Sequence, residues 1–171
     1  MSRIENQLSS LIPRKLIYCD VGARWGIEHP WKQFQNVIEQ VCFEPDREEY
    51  ELLKRNCRNS DKIYQYALLD EPKDSFLNLT RSRGCSSTYK PNQAFLNNYP
   101  EASRFHIEQT IPVKTSSLDI LYDTGEIKEM DFIKIDVQGA ELDILKGGKK
   151  LLSENISIKI ILHLLTSLKK I

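Results

Sequence analysis

Short apolar runs alternate with amphipathic stretches along most of this chain. Residues 15–21 (KLIYCDV) form an apolar run with little alternation, as expected of a strand buried on both faces of a parallel sheet. The run ends at Gly22, and a helix is expected over residues 30–39. Residues 40–44 (QVCFE) read as a second strand. Pro45 stops it, and Asp46 is placed to cap a helix over 47–57, in which Tyr50, Leu53 and Cys57 share a face beside Leu52. A third strand follows at 63–68. The pattern then changes. Residues 70–110 are polar, with Gly84-Cys85-Ser86-Ser87 and prolines at 91 and 100. This reads as a long loop with short strands or as a small insertion, and loops of this length are often functional. A short helix is expected at 117–122, a fourth strand at 131–137 (DFIKIDV), and a helix at 139–146 that Gly147-Gly148 ends. A short helix at 149–153 leads to a fifth strand at 156–164.

Strand and helix alternate with no internal repeat, which predicts a doubly wound α/β sheet. Right-handed crossovers then place the loop after the first strand at the topological switch point, where such sheets bind ligands. A length of 171 residues fits one domain with a real core.

Lysine plus arginine balances aspartate plus glutamate at 24 each, so charge gives no reason to expect a nucleic-acid or membrane-surface partner. The four cysteines (Cys19, Cys42, Cys57, Cys85) form no C-x-x-C pair and accompany no histidine cluster. They read as reduced thiols of a cytoplasmic protein, without structural zinc. The first 13 residues hold no secretory h-region. The richest apolar stretch, 156–168, is interrupted by Lys159 and His163 and is shorter than the roughly 18 residues of a membrane span.

Three elements converge on the switch point. The first is Asp20-x-Gly22-x-x-x-Gly26, where glycine allows a sharp turn and a close backbone approach to a ligand. The second is Glu44 at the end of the second strand, an acid about 20 residues on that can accept both ribose hydroxyls of an adenosine. The third is Asp136, at the end of the fourth strand. A pyrophosphate site asks for G-x-G-x-x-G at a helix N-terminus, whereas this loop has two glycines and an acid that would repel phosphate. Asp20 suits the amino group of a methionine moiety. The pattern favors S-adenosylmethionine (SAM) over a nicotinamide cofactor, and an NAD-dependent oxidoreductase is the alternative. Each element also has a plainer reading: a shaped turn at Gly22 and Gly26, a surface strand end at Glu44, a helix cap at Asp136.

The stretches DVGARWG (20–26), FEPD (43–46), ALLD (67–70), TSSLD (115–119) and DFIKIDVQGAELDILKGG (131–148) resemble the FkbM family of SAM-dependent methyltransferases over residues 15–155. The resemblance implies a Rossmann-like methyltransferase fold and O-methylation of a hydroxyl on a small molecule or saccharide. It implies that Asp20, Gly22, Ala23 and Gly26 belong to the cofactor loop and that Glu44 holds the ribose with Asp46 beside it. Ala67 and Leu68 would lie near the adenine, and Asp136 and Glu141 near the reacting groups. Gln138 stands where many members carry Glu. Related domains have a seven-stranded sheet, so a chain ending at Ile171 is expected to lack the last two strands, with His163 where the family usually has an acid. Two consequences are expected: an exposed terminal edge that could pair in a homo-oligomer, or a remnant without activity.

Methyl transfer to a hydroxyl also needs that hydroxyl's proton removed. The candidate bases are Asp136, then Glu141 and His106; Glu141 equally suits a solvated or capping role. Lys134 alternates with Ile133 and Ile135 and can reach solvent or pair with a carboxylate. Residues 81–89 are the expected acceptor-side loop, with Arg81, Arg83, Ser86 and Ser87 as polar contacts. No paired carboxylates stand at metal-ligand spacing, so no metal is expected.

Overall fold

The computed structural model describes residues 11–27, 31–154 and 159–162, the last four as backbone. The first part of the chain forms β1 (Leu16–Val21), β2 (Ile38–Phe43), α1 (Arg47–Asn56) and β3 (Lys62–Tyr64). The middle part forms β4 (Ala67–Leu68), β5 (Ser75–Thr80), α2 (Gln93–Leu96), β6 (Ile107–Val113), β7 (Thr115–Ser116) and α3 (Leu118–Asp123). The last part forms β8 (Phe132–Ile135), α4 (Glu141–Lys146), α5 (Lys149–Glu154) and β9 (Lys159–Leu162).

Five strands make a parallel sheet in the order β3-β2-β1-β8-β9. The chain leaves β1 toward β2 and β3 on one side and later fills β8 and β9 on the other. The order therefore reverses between β1 and β8, and the expected crevice opens at their C-terminal ends.

Side chains divide by the two-residue period of a strand. Cys19, Val21, Val41, Phe43, Ile133 and Ile135 point to one face and pack with Leu118 and Leu121 of α3, Ile144 of α4 and Leu151 of α5. On the other face Tyr18 and Ile38 pack with Val37, Trp31 and Phe34, and Cys42 packs with Ala23 and Leu53 of α1. Helices thus cover both faces, as the near-continuous apolar strands predict. Fully burying a residue such as Phe43 contributes about 1.5–3 kcal/mol. Asp46 caps α1 through a hydrogen bond accepted from the Glu48 amide, as expected from its position after Pro45.

Several elements differ from the sequence reading. Where a helix was expected over 30–39 the described residues hold a 3-10 turn at Trp31–Phe34, and β2 begins at Ile38 because Val37 and Ile38 bury beneath Tyr18. The third strand is split. β3 joins the main sheet, while β4 pairs with β7 in a separate two-stranded ladder. Helix α4 starts at Glu141 rather than at residue 139, because Gln138 and Gly139 have positive φ. The polar segment 70–112 contains an antiparallel hairpin, β5 with β6. Residues 1–10 lie outside the described residues, as do His163 and everything after it, while Lys159–Leu162 of the expected fifth strand is described and pairs with β8.

Candidate active site

A cavity lies at the C-terminal ends of β1, β2 and β8, and its walls come from distant parts of the chain. Gly22 lines it with φ of 80°. An added Cβ there would lie 2.2 Å from the Asp136 carbonyl oxygen. Glycine at 22 is what allows the loop after β1 to close onto the segment after β8. The amides of Gly22 and Ala23 both donate to the Phe43 carbonyl, at 3.0 and 3.1 Å, tying the same loop to β2.

Glu44 also lines the cavity and is 4% exposed. Its Oε1 accepts the Asp46 amide at 2.9 Å. Among the described residues no hydrogen bond engages Oε2. Burial pushes the carboxyl up to about 7, against the Asp46 amide and the Arg24 guanidinium, which pull it down. Arg24 is itself held by Asp46 at 2.7 Å and Glu49 at 3.1 Å. A buried acid with an uncommitted oxygen suits a ligand that brings hydroxyl donors.

Asp136 is the third wall. Gln138 donates its amide Nε2 to Asp136 Oδ1 at 2.8 Å. A glutamate at 138 would set a second carboxylate against Asp136, whereas this chain's amide supplies a donor. Gln138 holds φ of 60°, a conformation that costs a non-glycine residue energy and recurs at functional sites.

Asp20 sits below this surface. It stands opposite Lys134 in the β1–β8 register and pairs with it at 3.0 Å. Lys134 lines the cavity and Asp20 does not. Asp20 therefore meets a cation supplied by the chain itself.

The predicted residues separate into two groups. Gly22, Glu44, Ala67, Leu68 and Asp136 come together as cavity walls. Ala23 is fully buried beside Cys42 and Leu53, Gly26 borders a neighboring depression, and Asp46 braces Arg24. Both oxygens of Glu141 accept the Gly139 amide, at 3.1 and 2.9 Å, and Oε1 also accepts the Val137 amide at 3.3 Å. His106 is exposed and lines a separate shallow depression with Arg81 and Lys90.

Sequence reasoning missed Trp25 and Tyr66, which line the cavity. Trp25 has φ of 70° and is 68% exposed, and its ring lies against Gly84 of the middle segment. A tryptophan in a glycine-rich turn was the available signal.

A family model for the methyltransferase FkbM domain matches residues 20–168. The chain belongs to the methyltransferase FkbM domain family. This FkbM-domain chain is similar to the 2-O-methyltransferase NoeI of Sinorhizobium fredii (strain NBRC 101917 / NGR234), with 23% identity over 163 residues. The alignment covers 89% of this chain and 65% of that protein, so the chain spans just under two thirds of its relative's length. No solved structure matches at a significant level. Among the described residues no helix is long and apolar enough to cross a membrane, and no three His, Cys, Asp or Glu side chains cluster as a metal site.

Proposed function

We propose that this chain is a SAM-dependent O-methyltransferase domain acting on a hydroxyl of a small molecule or saccharide. The observation that carries the reading is the cavity at the strand-order reversal, where the Gly22 loop, buried Glu44 and Asp136 meet. Family membership and an O-methyltransferase relative support it.

The residues present fit the cofactor. Glu44 Oε2 is placed to accept ribose hydroxyls. Tyr66, Ala67 and Leu68 give an apolar wall for the adenine ring. Gly22 brings backbone close to the methionine portion. When bound, the cofactor supplies an electrophilic methyl group on a sulfonium. The chain's own work is to hold the acceptor oxygen about 3 Å from that methyl, in line with the bond that breaks, and to take the hydroxyl proton. Asp136 is the base we assign, since its carboxylate lies at the cavity and is oriented by Gln138. Glu141 and His106 serve structure in this reading. The Lys134–Asp20 pair supports the cavity floor from below. Cys19 and Cys42 are buried, and burial pushes both thiols up, which makes them poor nucleophiles.

Turnover of methyl-labeled SAM over a panel of hydroxyl acceptors tests the proposal, with Asp136→Asn beside the wild type. The variant should lose about 100-fold or more in kcat with its affinity for S-adenosylhomocysteine (SAH) retained. Turnover within about threefold of wild type would remove Asp136 as the base. Heat on titration with NADH and none with SAH would favor the oxidoreductase.

A further inference from the structure

The roof of the cavity is built by residues 83–88 of the middle segment, and its polar groups are not all employed. The roof is anchored at both ends. Gly84 packs on the Trp25 ring, so closely that an added Cβ would lie 2.8 Å from it. At the other end the Tyr89 hydroxyl donates to Asp143 of α4. Buried Asn78 of β5 pins the middle, donating Nδ2 to the carbonyls of Ser87 at 3.2 Å and Thr88 at 3.4 Å. The serines serve the roof itself. Ser86 Oγ accepts the Thr80 amide and Ser87 Oγ accepts the Tyr89 amide.

Two polar atoms remain. Arg83 Nη1 and Thr88 Oγ1 are enclosed and have no hydrogen-bond partner among the described residues, and both residues line the cavity. An enclosed N–H without an acceptor costs free energy, and more so on a charged group. The other two cations of the cavity wall are committed, Arg24 to Asp46 and Glu49, and Lys134 to Asp20. Among the described residues Arg83 is the cavity-lining cation without a carboxylate partner. Arg81 of the same hairpin pairs with Glu108 outside the cavity, at 3.7 Å.

We infer that Arg83 and Thr88 form an anion subsite for the acceptor, so that the molecule methylated here carries a carboxylate, phosphate or sulfate group beside its reactive hydroxyl. A guanidinium presents a planar fork of donors that matches these groups, and a threonine hydroxyl adds a neutral donor. The roof lies on the segment that closes the cavity over the strand tips, and the strand tips already hold Glu44 and Asp136 for the cofactor and the proton. The inference rests on the methyltransferase reading for the word acceptor. The methyl donor's own carboxylate has the same chemistry, and the experiment separates the two.

The whole chain is titrated with inorganic phosphate, with SAH, and with 5′-methylthioadenosine, which lacks the aminocarboxylate. Arg83→Gln should weaken phosphate at least about tenfold, and Thr88→Val by less, while SAH stays within about twofold. Arg83→Lys should recover part of the phosphate affinity, and Arg81→Gln should change neither. Unchanged phosphate affinity in Arg83→Gln, or no phosphate uptake by the wild type, overturns the subsite. A tenfold loss of SAH in Arg83→Gln with methylthioadenosine unaffected assigns Arg83 to the donor's carboxylate and overturns the acceptor assignment. If the wild type binds phosphate through Arg83 but not SAH, the anion subsite stands and the methyltransferase reading fails.

Discussion

The floor and the roof of the cavity are built on opposite terms. On the floor, charge meets charge within the chain: Lys134 with Asp20, Arg24 with Asp46 and Glu49. Gly22 lies against the Asp136 backbone with no room to spare. The roof is a hairpin with enclosed polar atoms that nothing among the described residues satisfies, at Arg83 and Thr88. In the proposed reading such a floor is prebuilt for the cofactor. A roof of this kind is completed by the molecule it receives. Breaking the paired charges and close contacts of the floor should therefore cost stability, and replacing the unpartnered groups of the roof should cost binding.

The largest effect is expected at Gly22. Valine there combines a positive φ with a backbone clash, and should lower unfolding stability by about 3–4 kcal/mol and abolish SAH binding. Urea unfolding measures it, and a loss below about 1 kcal/mol would show that the loop is not pinned to Asp136. Lys134→Met follows. It leaves buried Asp20 without the cation opposite it, at a cost of about 3 kcal/mol. The double variant Lys134→Met/Asp20→Leu should recover most of that, which a simple packing defect would not do.

Glu44→Gln sharpens the contrast by moving stability the other way. The folded carboxyl is raised from 4.5 to about 7, so between those values the folded state binds more protons than the unfolded chain. Stability then falls as pH rises through that window, by up to about 3 kcal/mol. The variant removes the loss, so it should be more stable than wild type at pH 8 and closest to it below pH 4.5. Thermal unfolding across pH checks the sign. The smallest effect belongs to the roof: Arg83→Gln should change stability by about 0.5 kcal/mol or less, since Nη1 has no hydrogen-bond partner among the described residues.

The same division explains what could be read from the sequence. Strands β1 and β8 are continuous apolar runs, and their partners are dictated by the alternation of strand and helix. The positions of Gly22, Glu44 and Asp136 at strand ends follow from that pattern. The roof was not legible because its buried positions are polar. Asn78 and Thr80 bury their side chains through hydrogen bonds to residues 82, 87, 88 and 110, and no periodicity announces such partners. Likewise β4 pairs with β7 across more than 40 residues, so Ala67 and Leu68 read as the tail of the preceding strand. The pairing of Asp20 with Lys134 depends on the β1–β8 register, which the sequence left open.

Calorimetric titration of the whole chain with SAH at pH 6 and pH 8, beside Glu44→Gln, tests the central claim that Glu44 holds the ribose of an adenosyl cofactor. An acid titrating at about 7 should give wild-type affinity about tenfold tighter at pH 8 than at pH 6, because ionized carboxylate is the better hydroxyl acceptor. The variant should bind more weakly at pH 8 and show no such pH dependence. Equal SAH affinity in wild type and variant at both pH values would contradict the account.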